Sequence, residues 1–159
     1  RFIAGGRRSV AMINHDLTYK DARQREQGYL DSLQEHQLDG FPVEYAAELS
    51  FNAGKAAMQN LLAQPVRPDA VFAISDTLAA GAIRAIDEAG LRIPQDIAVI
   101  GFDGTELGEM TSPQLSTIEQ PSHQIGRQAV TLLLNKINDP SGPPERSRLA
   151  WRFVQRLSS

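Results

Sequence analysis

Two hydrophobic patterns alternate along this chain. Short unbroken apolar runs, Val10-Ala11-Met12-Ile13, Ala70-Val71-Phe72-Ala73-Ile74 and Ile97-Ala98-Val99-Ile100-Gly101-Phe102, show no polar alternation. Strands of that kind are buried on both faces, as in parallel sheets. Phe41 to Ala46 is a weaker strand, where Phe41, Val43 and Tyr45 alternate with polar positions. Between the runs, apolar residues recur at helical spacing. Ala22, Tyr29, Leu30 and Leu33 predict a helix over 21–36, and Ala53, Ala57 and Leu61 one over 52–63. Leu78, Ala79, Ala82, Ile83, Ile86 and Ala89 predict a third, with Gly90 at the C-cap place and Pro94 beyond it. Strand–helix alternation implies right-handed βαβ units, hence an α/β fold around a parallel sheet.

The tail departs from this rhythm. Leu115 to Ile118 reads as a short extended segment. Pro121 suits the first position of a helix, and Ile125, Ala129, Leu132, Leu133 and Ile137 continue it on one stripe. Asn138 to Pro144 is a loop on turn chemistry, and Leu149 to Leu157 reads as a final strand.

Composition narrows the function. The 159 residues fit one domain. Sixteen Lys plus Arg against nineteen Asp plus Glu give a net charge of −3, without the basic footprint of a nucleic-acid-binding surface. The absence of cysteine excludes disulfides, thiolate metal sites and cysteine nucleophiles. No apolar run approaches the roughly 20 residues of a membrane-spanning helix. The chain opens on Arg1 rather than Met, so a preceding segment is expected.

In an open α/β sheet, ligands bind beyond the carboxyl ends of the strands. Those ends carry Asn14, His15 and Asp16, then Glu48 and Leu49, then Ser75 and Asp76, then Asp103. Carboxylates accept paired hydroxyl hydrogen bonds and Arg donates in a fork, so the set suits a hydroxyl-rich ligand. Tyr19, Phe51 and Phe102 offer apolar faces to a ring. Each residue also has a plainer role. Ser75 and Asp76 begin a helix, where such residues cap. Asp103 before Gly104 is a turn former. Arg25 lies in a helix rich in Arg and Gln, where a solvated face is the default. His15 suits a loop, and Asn14 can bridge a turn.

Catalysis finds no constellation. Phe102-Asp103-Gly104-Thr105 is similar to the Asp-x-Asp-Gly-Thr loop of haloacid dehalogenase-like phosphatases, but Gly101 occupies the nucleophile's place. A phosphoacceptor receiver needs paired acidic residues after the first strand and a Lys on the last. Only Asp16 is near the first, and no suitable Lys follows the fifth strand. There is no Gly-x-Ser-x-Gly elbow and no Walker A pattern. With three His and no Cys, no zinc site is expected. No cofactor is expected either.

Several ordered motifs carry a family resemblance from Gly6 to the C-terminus. They are Gly6-Arg7-Arg8-Ser9-Val10-Ala11-Met12-Ile13, Arg25-Glu26-Gln27-Gly28-Tyr29, and Arg67-Pro68-Asp69-Ala70-Val71-Phe72-Ala73 followed by Asp76. Ile93 to Asp103 is the most specific stretch, followed by Leu115-Ser116-Thr117-Ile118-Glu119-Gln120-Pro121 and the ending Val154 to Ser159. The chain resembles the effector-binding core of LacI/GalR transcription regulators. The resemblance implies a type I periplasmic-binding-protein-like fold of two α/β lobes with a ligand between them. Residues 1–120 would form the C-terminal lobe, 121–147 a crossover helix and loop belonging to the N-terminal lobe, and 148–159 a final strand.

It also implies that Arg25 and Asp103 hold the effector, that Asp21 adds a hydrogen bond, and that Gln120 faces the ligand from the lobe crossover. Tyr19, Ser75, Asp76 and Leu49 complete the expected edge. Leu49 departs from a family position that is often aromatic, Ser75 stands where Asn is common, and Asn14-His15 replaces Gly-Pro. The implied protein is a cytoplasmic homodimer that senses a small sugar-like or nucleoside-like effector, a sugar or related polyol foremost. It meets operator DNA through an N-terminal domain outside this chain and has no membrane partner. The acidic Asp21 disfavours a phosphorylated ligand by like-charge repulsion. The competing functions are a periplasmic sugar-binding protein of a transport system, with the same fold, and a phosphotransfer enzyme of the dehalogenase type.

Overall fold

The computed structural model describes residues 1–159. The strands are β1 (Val10–Asn14), β2 (Val43–Tyr45), β3 (Ala70–Ala73), β4 (Ala98–Asp103), β5 (Ser116–Glu119) and β6 (Arg152–Val154). The helices are α1 (Lys20–Glu35), α2 (Phe51–Leu62), α3 (Asp76–Glu88), α4 (Leu107–Met110) and α5 (Ser122–Asn138). The strands form one sheet in the order β2-β1-β3-β4-β5-β6. The predicted α/β architecture is what forms. Pairings from β2 through β5 are all parallel, and the strand order reverses at β1. Such a reversal opens a crevice at the carboxyl ends of β1 and β3.

The unbroken apolar runs are central strands. Ala11, Met12, Ile13, Val71, Ala73 and Val99 have no exposed surface. One sheet face packs on α2 and α3, whose backbones touch. A Cβ on Gly81 would overlap the Phe51 carbonyl oxygen, and one on Gly54 would lie 2.6 Å from Leu78 Cα. The other face carries Phe72, Ile100, Phe102, Ile118 and Phe153 in register, with α1 over one side of it. Tyr29 pins α1 there by donating its hydroxyl to the carbonyls of Val10 at 2.8 Å and Phe41 at 3.2 Å. Beside α1 an apolar groove of about 650 Å³ remains, lined by those strand residues and by Phe2, Ile3 and Trp151.

The tail differs from its predicted form in three ways. The final strand is Arg152–Val154 alone, shorter than the 149–157 expected, and it pairs antiparallel with β5. It faces Thr117, Ile118 and Glu119 of β5, and beyond it the Arg156 N–H meets the Ser116 hydroxyl instead of a backbone carbonyl. The sheet is therefore parallel with one antiparallel edge. α4, four residues long, has no counterpart in the predicted elements because it is too short to show a period. Pro121 sits just outside α5 rather than as its first residue, and α5 buries none of its residues. Beyond β6 the chain returns to the core at Ser158. Buried Ser158 donates its hydroxyl to the Val99 carbonyl at 2.6 Å and accepts the Ser116 N–H at 2.8 Å. No helix is long and apolar enough to cross a membrane.

Replacing Gly81 by Ala forces α2 and α3 apart. Overpacking of this kind costs about 1–3 kcal/mol. Urea unfolding should show that loss as a lower midpoint, and an unchanged midpoint would contradict the close helix approach.

Candidate functional site

Four carboxyl ends converge at one edge of the sheet, and Arg25 reaches into their centre. Its guanidinium donates to the Ile74 carbonyl at 2.8 Å, at the reversal point between β1 and β3. It lies over the Phe102 ring at 4.0 Å from the centroid, and 3.6 Å from Asp21. The side chain is 19% exposed. This is not a solvated helix face. α1 holds the arginine against the sheet end by a carbonyl and an aromatic ring, and cation–π contact strengthens as water is excluded.

Asp103 ends β4 in an uncommon backbone conformation, with φ 115°. Non-glycine residues rarely hold such angles unless their surroundings impose them, and such residues cluster at ligand sites. The Gln120 side chain donates to the Asp103 carboxylate at 2.8 Å, and the Gln120 N–H donates to the Asp103 carbonyl at 3.2 Å. Burial pushes the Asp103 carboxyl up from its ordinary value, opposed by Arg25 and the Gln120 hydrogen bond and reinforced by Asp76 and Asp21. A half-buried carboxylate facing a guanidinium and a primary amide is suited to accept hydroxyl hydrogen bonds from a polyol.

The remaining predicted residues divide. Asp21 and Tyr19 lie at the exposed start of α1, and Tyr19 stacks on His15 with ring centroids 5.4 Å apart. The His15–Tyr19 pair presents an aromatic surface on this edge that the predicted elements did not reveal. Leu49 is exposed in the loop before α2. Asn14 is buried and bridges its turn, donating to Glu26 at 2.6 Å and accepting the His15 N–H. Ser75 takes its plainer role. It is the N-cap of α3, its hydroxyl accepting the Leu78 N–H at 3.2 Å.

Asp76 is withdrawn from the surface at 1% exposure. One carboxylate oxygen accepts the N–H and hydroxyl of Thr105 at 2.7 and 2.9 Å, and the other accepts the Thr117 hydroxyl at 2.6 Å. Both of its oxygens are taken up inside the chain. Thr105 and Thr117, to which their motifs assign no site role, complete its shell. The apolar groove beside α1 meets this edge only through Arg25 and Phe102.

The periplasmic binding protein-like domain family matches residues 1–159, the whole chain. The chain belongs to this family. It is 42% identical over 142 residues to the ribose operon repressor of Haemophilus influenzae, covering 87% of this chain and 42% of that protein. It is 37% identical over 157 residues to the ribose operon repressor of Escherichia coli K12, covering 97% of this chain and 47% of the repressor. A regulatory protein of the LacI family from Chloroflexus aggregans superposes with a TM-score of 0.90 at 30% identity, over 99% of this chain and 57% of that one. The transcriptional regulator CelR in its cellobiose complex superposes with a TM-score of 0.93 at 31% identity, over the whole of this chain and 49% of that one. The relatives are LacI-type transcriptional repressors, and this chain spans about half their length.

The burial of Asp103 has a consequence for stability. Its folded carboxyl holds a proton to higher pH than its unfolded one, so this contribution to stability is full below the ordinary carboxyl value and is lost as pH rises through the raised one. Asp103→Asn keeps the acceptor for Gln120 and removes the charge. Thermal unfolding of this variant should show higher stability than the parent at neutral pH, with the gain vanishing below about pH 3.8. Equal stability at neutral pH would contradict the assigned burial cost.

Proposed function

We propose that this chain is the ligand-sensing lobe of a LacI-type regulator that takes a small polyol, foremost a pentose, at the Arg25–Asp103 edge. The observation that carries the reading is the convergence of these two side chains around Phe102 at the strand-order reversal, with Asp103 held at a φ of 115°. Arg25 and Asp103 then supply a donor fork and a two-oxygen acceptor, while Asp21 and Gln120 flank them. Tyr19 adds a ring surface, and Leu49 a side wall. The negative pair of Asp21 and Asp103 disfavours phosphorylated sugars. The relatives named as ribose operon repressors support ribose as the first ligand to test.

In this reading, residues 1–120 and 148–159 form one lobe, and α5 packs on a second lobe supplied by the rest of the protein. α5 exposes Ile125, Val130, Leu133, Leu134 and Ile137, an apolar set that supports such a partner. The ligand bridges the lobes, and its preference for one arrangement shifts the operator affinity of a separate DNA-binding domain. The protein works as a cytoplasmic homodimer and is a regulator rather than an enzyme. A transport role for the same fold is not favoured, because the relatives are transcriptional repressors.

Calorimetric titration of the full-length protein with D-ribose tests this. The parent should bind, Asp103→Ala should abolish binding while remaining folded, and Arg25→Ala should lose about 1.5–3 kcal/mol, as expected for a charged hydrogen bond. Parent-like affinity in both variants would remove this edge from the ligand site.

A further inference from the structure

The buried carboxylate of Asp76 belongs to the first turn of α3, yet it does not serve its own helix. Ser75 already caps the N–H of Leu78. Both Asp76 oxygens point away to other elements, one to Thr105 in the loop after β4 and one to Thr117 on β5. Thr117 extends the chain of bonds, because its hydroxyl also accepts the Gly104 N–H at 3.3 Å. The two residues that follow Asp103 are thus both tied by their backbone N–H groups to this cluster. The space for it is built in. A Cβ on Gly101 would lie 2.5 Å from Asp76 Oδ1, and one on Gly104 would lie 2.6 Å from Glu119 Cα.

We propose that Asp76, acting with Thr117, is a positioning residue of the ligand edge. It clamps Gly104 and Thr105 so that Asp103 keeps its φ of 115° and presents its carboxylate beside Gln120 and Arg25. Asp76 touches no ligand and acts through Asp103. Its effect on ligand affinity rests on the reading of Asp103 given above, whereas the clamp itself does not.

The mechanism separates local order from global fold. Thr117→Val removes both hydroxyl bonds at near-constant volume, and Thr117→Ser keeps them. Amide hydrogen exchange on the full-length protein without ligand should show protection at Gly104 and Thr105 falling at least about tenfold in Thr117→Val, with β1 and β3 amides unchanged and Thr117→Ser like the parent. Asp76→Ala, which removes both acceptor oxygens, should reproduce the local loss at Thr105. Unchanged protection at both amides in Thr117→Val overturns the clamp. So does an equal loss across all strands, which would make the cluster a plain core contact. Titration with D-ribose then reads the ligand arm. Thr117→Val should bind at least about tenfold more weakly and Thr117→Ser as the parent. Parent-like affinity in a Thr117→Val protein that has lost the local protection overturns the positioning role. Failure of the parent to bind ribose overturns the pentose reading and leaves the exchange result to decide the clamp.

Discussion

The hydrogen bonds that Asp76 accepts from Thr105 and Thr117 fasten the end of β4 to α3 and β5 at once. A carboxylate this deeply buried is costly unless every oxygen finds donors, and here both do. No buried side-chain nitrogen or oxygen in the chain lacks a partner. The requirement reaches outward from that point. Gly101 must lack a side chain to leave room, Gly104 must pass close over Glu119, and the backbone between them turns through the strained conformation of Asp103. Asp103 is the residue that remains presented, with Arg25 and Gln120 beside it.

Most of the fold was readable because its determinants are local. A run such as Val10 to Ile13 states its own burial, and Gly90 with φ 72° ends α3 where the helical period stops. The tail was read less well because its limits are set by partners distant in sequence. β6 is as long as the stretch of β5 facing it, and nothing in residues 149–157 specifies that. The site shows the same division. Ser75 as a cap follows from its position before a helix. Arg25 looked solvated from its helix alone because its anchor, the Ile74 carbonyl, is 49 residues away. Asp76 offers two readings from sequence, cap or ligand contact, and neither points to the partners its oxygens have in the structure, Thr105 and Thr117, which are 29 and 41 residues distant.

Gln120 joins the edge to α5. It meets Asp103 through both side chain and backbone, and Pro121 and α5 follow it directly. A ligand that takes up the Asp103 carboxylate competes with or reinforces the Gln120 contact at the first residue after β5. In the proposed two-lobe protein that is the short path between occupancy and lobe arrangement. It works only if ligand contacts differ between the two arrangements.

The most direct test of the account is a crystal structure of the full-length protein with ribose. The account predicts sugar hydroxyls within about 3 Å of both the Asp103 carboxylate and the Arg25 guanidinium. It also predicts Asp76 still holding Thr105 and Thr117 beneath them. A sugar bound elsewhere, or bound on this edge with Asp103 turned away, would contradict it.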